Sequence, residues 1–303
     1  MRLGIACLLL KLAVLSAAQW DNNSTRPIEL APAPWTLKGT VYSVTFIPTS
    51  TDLPTKAFAP LERQYASAVE GEYVGILGQI QIIRYTESPV GPYDELLIVP
   101  GFFKYNYTNP SGDVEERKNV RVSRIYVSQK YTCWNGRTNW NIPKHLARFD
   151  WVEGKHGETS VKIYPHDTTG DPFESKPAEK PWFQATFKPT LPVGLPFSTD
   201  LYNLLGVDTL LAQPPLPFGN STYDELPGTS HWAATMPNQK SDRATIEIAD
   251  IGQGGGDVQE DHTTNAVGDE YFPNFWPGLP RINVVTKLED ATITFSSPTT
   301  WTN

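Results

Sequence analysis

The chain has 303 residues, 39% of them apolar and 12% aromatic, enough to fill a sizeable core and too apolar for an intrinsically disordered protein. Its formal charge of −8, with no basic cluster, excludes nucleic acid as the expected partner and leaves small molecules. The 27 prolines and 22 glycines are spread along the length, which suits short strands joined by turns better than long helices.

Residues 1–18 read as a secretory signal: Arg2, an apolar stretch from Leu3 to Leu15 interrupted by Lys11, then Ser16-Ala17-Ala18 as a small-residue cleavage site. The stretch is shorter than the roughly 20 apolar residues of a membrane-spanning helix, and no later segment is long enough, so no membrane anchor is expected. Asn22, Asn23, Asn106 and Asn220 each open an Asn-x-Ser/Thr tripeptide, in keeping with a secreted glycoprotein. Cleavage would remove Cys7 and leave Cys133 as the lone thiol, which excludes an intramolecular disulfide framework.

Residues 19–34 are polar and proline-rich, and the fold proper is expected to begin near Trp35 as a single domain over 35–303. Alternating and β-branched patterns predict strands at 35–46, 72–85, 95–101 and 119–127, with glycines of the second marking bends. Residues 128–139 read as a helix with Ser128 as N-cap and Gly136 near its end, so that Lys144 falls on a loop begun by Pro143. Further strands are expected at 160–164, 182–187, 245–248 and 281–295, the last broken near Lys287. A short amphipathic helix is expected at 199–211 within the irregular, divergent region 166–270.

Gly252-Gln253-Gly254-Gly255-Gly256-Asp257 lacks the last glycine of a dinucleotide fingerprint, and no phosphate-binding loop or nucleophile-elbow serine occurs, so no nucleotide cofactor is expected. His145, His156, His166, His231 and His262 show no zinc-ligand spacing, and Glu260-Asp261-His262 reads as a solvated loop, so no metal is expected. Lys144 remains, framed by Trp140, Ile142, Pro143, Leu146 and Ala147. In an apolar pocket a lysine loses the solvation that favours its ammonium form, its pKa falls, and the free amine can attack a ketone. Local composition alone favours a surface lysine that merely follows a proline. Glu95, at the head of the apolar run Leu96 to Val99, reads equally as a structural or a functional carboxylate.

The order of Gly91-x-Tyr93-x-Glu95, Tyr126, Gly136-Arg137, Pro143-Lys144-His145-Leu146 and Leu279-Pro280-Arg281-Ile282 leading to Asp290-Ala291-Thr292-Ile293-Thr294-Phe295 resembles the acetoacetate decarboxylase superfamily, in a fungal secreted branch. The match covers most of 35–165 and 275–296. The resemblance implies an α+β, mainly antiparallel fold: a closed or cone-shaped β-barrel enclosing a ligand cavity, with a few short helices. It implies a Schiff-base lyase that decarboxylates a β-keto acid through an imine on Lys144, with Glu95 positioning and protonating the substrate and His145 a modulator or proton shuttle. The partner would be a small keto acid or ketone, with homo-oligomerisation left open.

Two positions depart from the family pattern. His145, mostly neutral at pH 7, stands where the decarboxylases carry a second lysine, so burial would have to supply most of the shift at Lys144. Thr40 stands where they carry an arginine near the substrate carboxylate, with Lys38 close by. Aldol or dehydration chemistry on ketone or polyketide-like substrates is therefore an alternative, which Tyr93, Tyr126, Trp134, Trp140, Trp151 and Trp182 would suit if they face the cavity. A non-catalytic binder of small hydrophobic molecules is another.

Overall fold

The structure is a computed structural model and describes residues 22, 24, 26–48, 53–190, 193–250 and 284–303. The secretory signal, Asn23, the glycine run 252–257, Glu260-Asp261-His262 and the start of the last expected strand lie outside the described residues.

Strands in chain order are β1 (Trp35–Phe46), β2 (Glu72–Gly75), β3 (Gly78–Glu87), β4 (Tyr93–Val99), β5 (Gly101–Thr108), β6 (Val114–Arg121), β7 (Arg124–Val127) and β8 (Lys144–Glu153). They continue with β9 (Thr159–Pro165), β10 (Phe183–Pro189), β11 (Leu195–Ser198), β12 (Leu211–Gln213), β13 (Trp232–Thr235), β14 (Pro237–Asp250), β15 (Val284–Phe295) and β16 (Thr299–Trp301). The α-helices are α1 (Pro60–Arg63), α2 (Lys130–Trp140) and α3 (Asp200–Leu204).

The larger sheet runs β10-β9-β8-β7-β4-β3-β1-β15-β14 and returns to β10, where residues 186–189 pair antiparallel with 247–250. This ring-like closure leaves those nine strands without a free edge; β11 adds to β14 as a tenth strand. Side chains alternate across a strand. One set, drawn from all nine ring strands and including Phe46, Ile82, Leu96, Tyr126, Phe187 and Val285, packs into one buried cluster and fills the inside. The alternate residues, Ile83, Leu97, Val127 and Leu146 among them, face outward and pack with Cys133 and Trp140 of α2 and Leu211 of β12. The smaller sheet, β16-β13-β12-β6-β5-β2, lies over part of that outer face and carries its own aromatic stack of Tyr105, Trp232 and Trp301.

Three expected strands are each divided between the two sheets. The 72–85 run breaks at Gly75 (φ 74) and Ile76 (φ 76), a bend at a glycine as expected. The 95–101 run ends before Pro100, which has no N–H to pair, and restarts at Gly101, where a Cβ would lie 2.2 Å from the Gly75 carbonyl oxygen. The 119–127 run changes sheet at Val122-Ser123, with the Ser123 N–H donated to the Ile98 carbonyl at 3.0 Å. The last strand breaks at Glu289-Asp290 rather than at Lys287: its partner on β1 jumps from Val41 to Gly39, and Asp290 takes φ 46.

Both helix expectations change in detail. Gln129, not Ser128, caps α2, accepting from the Thr132 N–H, while the Ser128 hydroxyl accepts from the Asp94 N–H. Asn141 at φ 54, not Gly136, ends the helix in the left-handed conformation. Over 199–211 only Asp200–Leu204 is α-helical, followed by Gly206 at φ 75. The fold also begins earlier than Trp35, because Asn135 and Asn139 of α2 hydrogen-bond the backbone of Glu29 and Ala31.

Candidate active site

Lys144 opens β8, correcting the loop expectation: residues 125–127 of β7 pair in parallel with 144–146. Being in a strand decides where the side chains go. Lys144 points toward α2, and His145 points to the opposite face.

The Lys144 amine is buried, donating to Glu95 Oε2 at 2.7 Å and Thr132 Oγ1 at 3.0 Å, with its nitrogen 5.2 Å from the centre of the Tyr93 ring. Tyr93, Glu95, Gly136 and Arg137 of the sequence pattern lie about Lys144, whereas Tyr126 does not. Thr132 and Gly136 are four apart and share one face of α2. The hydroxyl of the first meets the amine; the second leaves room for the stem, since a Cβ there would lie 2.6 Å from Lys144 Cδ and 2.7 Å from Cε. Arg137 and Cys133 both donate to the Lys144 carbonyl oxygen at 3.2 Å. Burial pushes the Cys133 thiol well up, so it stays protonated as a donor. Gly91 (φ 89) turns the chain into β4, so that Tyr93 and Glu95 share one face.

Glu95 is itself oriented by the Tyr85 hydroxyl, which donates to Oε1 at 3.1 Å. Burial, and then the Glu95 charge, push the Tyr85 and Tyr93 hydroxyls well above their usual range, so both remain protonated.

The amine and Glu95 line a cavity of about 130 Å³. Both sheets line the cavity: Gln81, Leu97, Ile125 and Lys144 from the larger and Phe102, Val120 and Leu211 from the smaller. Its walls are mainly aliphatic, Leu97, Val99, Val122, Ile125 and Ile142 among them, and its aromatic members are Phe102, Tyr202 and Phe295. Of the aromatics expected to suit a ligand, Trp140, Trp182 and Tyr126 pack in the cores instead, and Tyr93 stands beside the amine. Among the described lining residues Lys144 is the single cation, with Glu95 and Asp208 the acids. Lys38 is exposed and paired with Glu87 at 3.0 Å, so neither it nor Thr40 lines the cavity. No cluster of His, Cys, Asp and Glu among the described residues could hold a metal ion.

The reading of His145 as a mostly neutral shuttle beside the amine is corrected. Its ring is fully buried between Glu62 and Glu174, each 2.7 Å from a ring nitrogen. Burial opposes the charged ring, but the two carboxylates outweigh it and raise its pKa well above the usual value, so it is an imidazolium at pH 7. Glu62, despite burial, is held down to about 2 by His145 and Arg137. Arg137 joins the two faces, bonding Glu62 at 2.9 Å as well as the Lys144 carbonyl. Beside it, Tyr126 donates to Asp167, which also pairs with Arg124 at 3.5 Å. Sequence reasoning missed Thr132, Glu62 and Glu174. Thr132 was legible from its helical spacing to Gly136, whereas Glu62 and Glu174 come from segments with no pattern.

The glycan acceptors separate. Asn106, exposed on β5, and Asn220, exposed in a loop, are open to solvent. Asn22 is buried, with its amide donating to the Ser128 carbonyl at 2.9 Å and its oxygen accepting from the Lys130 N–H at 2.6 Å; the folded chain has no space there for a sugar.

No family model matches the chain. Over 121 residues it is 27% identical to Protein NEOXANTHIN-DEFICIENT 1 of Oryza sativa subsp. japonica, covering 40% of this chain and 35% of the relative. It is 28% identical over 120 residues to the protein of the same name in Arabidopsis thaliana, covering 39% and 37%. The match thus spans about a third of these relatives' length. The crystal structure of acetoacetate decarboxylase from Legionella pneumophila superposes with a TM-score of 0.50 at 12% identity, over 92% of each chain. The chain therefore has a fold like that of acetoacetate decarboxylase.

Proposed function

We propose that the protein is an imine-forming lyase acting on a small, largely apolar ketone through Lys144. The observation that carries this reading is a buried lysine amine, 2.7 Å from a buried carboxylate, at the wall of a mostly aliphatic cavity. In water a lysine is solvated and charged; here its contacts are Glu95, Thr132 and the Tyr93 ring. The proton can pass from Lys144 to Glu95 along their hydrogen bond, freeing the amine to attack the carbonyl carbon. Glu95 returns that proton to the carbinolamine oxygen, water leaves, and a protonated imine remains. This cation accepts the electron pair of a bond broken at the neighbouring carbon: C–COO⁻ in a decarboxylation, C–C in a retro-aldol step, C–H in a dehydration. Glu95 is placed to take up or return the proton, and Thr132 to keep the nitrogen in place.

The lining favours ketones that are neutral over β-keto acids. A carboxylate entering the cavity would meet Glu95 and Asp208 and, among the described lining residues, no cation besides Lys144. Retro-aldol or dehydration chemistry thus fits the lining better than decarboxylation. Borohydride reduction in the presence of a ketone panel, followed by peptide mass spectrometry, tests the reading. The expected result is a single adduct on Lys144, absent in Lys144→Met and slowed roughly 100-fold or more in Glu95→Gln; no adduct with any ketone would sink it.

A further inference from the structure

The cavity has a second polar region that imine chemistry at Lys144 does not use. Gln79 and Gln81 of β3 and Gln239 of β14 line it and are linked: Gln239 Nε2 donates to Gln81 Oε1 at 2.9 Å, and Gln81 Nε2 donates to Gln79 Oε1 at 3.1 Å. Thr199 and Tyr202 line the cavity beside them, with the Tyr202 hydroxyl hydrogen-bonded to Gln79.

The sheet register fixes how far this cluster stands from the reacting amine. Lys144 pairs with Ile125, Ile125 with Leu97, and Leu97 with Gln81. These four residues form one row across β8, β7, β4 and β3, all lining the cavity. Three strand spacings separate the ends, roughly 14 Å between Cα atoms. Between them the wall is Leu97 and Ile125, which offer no hydrogen bond. The lining is therefore polar at two ends and apolar in the middle.

Resting on the imine reading for the orientation of the ligand, we infer that the glutamine cluster recognises an uncharged oxygen function, a hydroxyl foremost, at the end of the substrate remote from its ketone. Primary amides suit that task because each offers both donors and acceptors without charge. A remote carboxylate or phosphate would find no cation there among the described residues. A wholly apolar tail would cover the remaining amide donors and acceptors of the cluster without offering them a hydrogen bond. The apolar span between the ends selects the intervening chain by burial alone.

Undecan-2-one and its ω-hydroxy analogue serve as probes. Equilibrium binding is measured on Lys144→Met, which cannot form the imine, and borohydride trapping on the unaltered protein. The hydroxy ketone is expected to bind about tenfold more tightly than the plain ketone. Gln81→Met and Gln239→Met should each erase most of that preference. Equal binding of the two ketones, or a preference that survives both substitutions, overturns the inference. Loss of trapping with the binding preference intact would refute the imine chemistry and leave the glutamine site standing.

Discussion

Replacing Gly136 by alanine separates the stability of α2 from the placement of the Lys144 amine. In a helix interior this change ordinarily stabilises by about 1 kcal/mol, because alanine has the higher helix propensity. Here the new methyl would sit 2.6 Å from Lys144 Cδ and 2.7 Å from Cε. Carbon atoms rest at about 3.5–4.0 Å, so the lysine stem must retreat by about 1 Å. The stem is flexible and can move, but its nitrogen then loses the 2.7 Å bond to Glu95 and the 3.0 Å bond to Thr132. A hydrogen bond between charged groups contributes about 1.5–3 kcal/mol, which offsets the helix gain and leaves folding stability changed by no more than about 2 kcal/mol. Misplacing a reacting group by about 1 Å costs roughly 100-fold in rate. Thermal unfolding and borohydride trapping, run side by side on Gly136→Ala, should show a melting temperature within a few degrees of the parent and trapping slower by about two orders of magnitude. Trapping at the parent rate would refute the claim that this glycine exists to admit the lysine.

The buried charges beyond the cavity yield further expectations. Because the folded pKa of His145 lies above its ordinary value of 6.5, its contribution to stability is complete below that pH and is lost as pH rises through the folded value; His145→Gln should flatten this alkaline fall in melting temperature. Glu62 is depressed to about 2, so its contribution is present above 4.5 and lost as pH falls toward 2, an acid limb that Glu62→Gln should remove in pH-dependent melts. Arg137→Met removes one of the two cationic partners of the buried Glu62 and releases the Lys144 carbonyl, and should cost about 3 kcal/mol in denaturant unfolding; a loss under 1 kcal/mol would contradict the bridging role. Tyr85→Phe removes the donor that orients Glu95 and should slow trapping only several-fold, since Lys144 and Thr132 still hold the site.

The alternation of β-branched and polar residues already marks most of the strands, because period-two burial is a local property that a sheet imposes on its own sequence. The ordered motifs around Gly91, Tyr93, Glu95, Gly136, Arg137 and Lys144 likewise single out the residues that the fold gathers about one amine. Chain position alone did not show which face each residue takes. Placing Lys144 in a loop left His145 free to act beside it; once Lys144 opens a strand, alternation sends His145 to the opposite face, between Glu62 and Glu174. Those two carboxylates come from segments 83 and 29 residues away, and no local pattern announces a partner so distant. The glutamine cluster has the same origin: Gln81 and Gln239 are 158 residues apart and meet only because β3 and β14 border one cavity. Sequence by itself thus determined the strands and the lysine with its carboxylate, through local periodicity and motif order. Tertiary structure decided the charge of His145, the purpose of Gly136 and the shape of the cavity, since each depends on contacts between residues that only the closed sheet brings together.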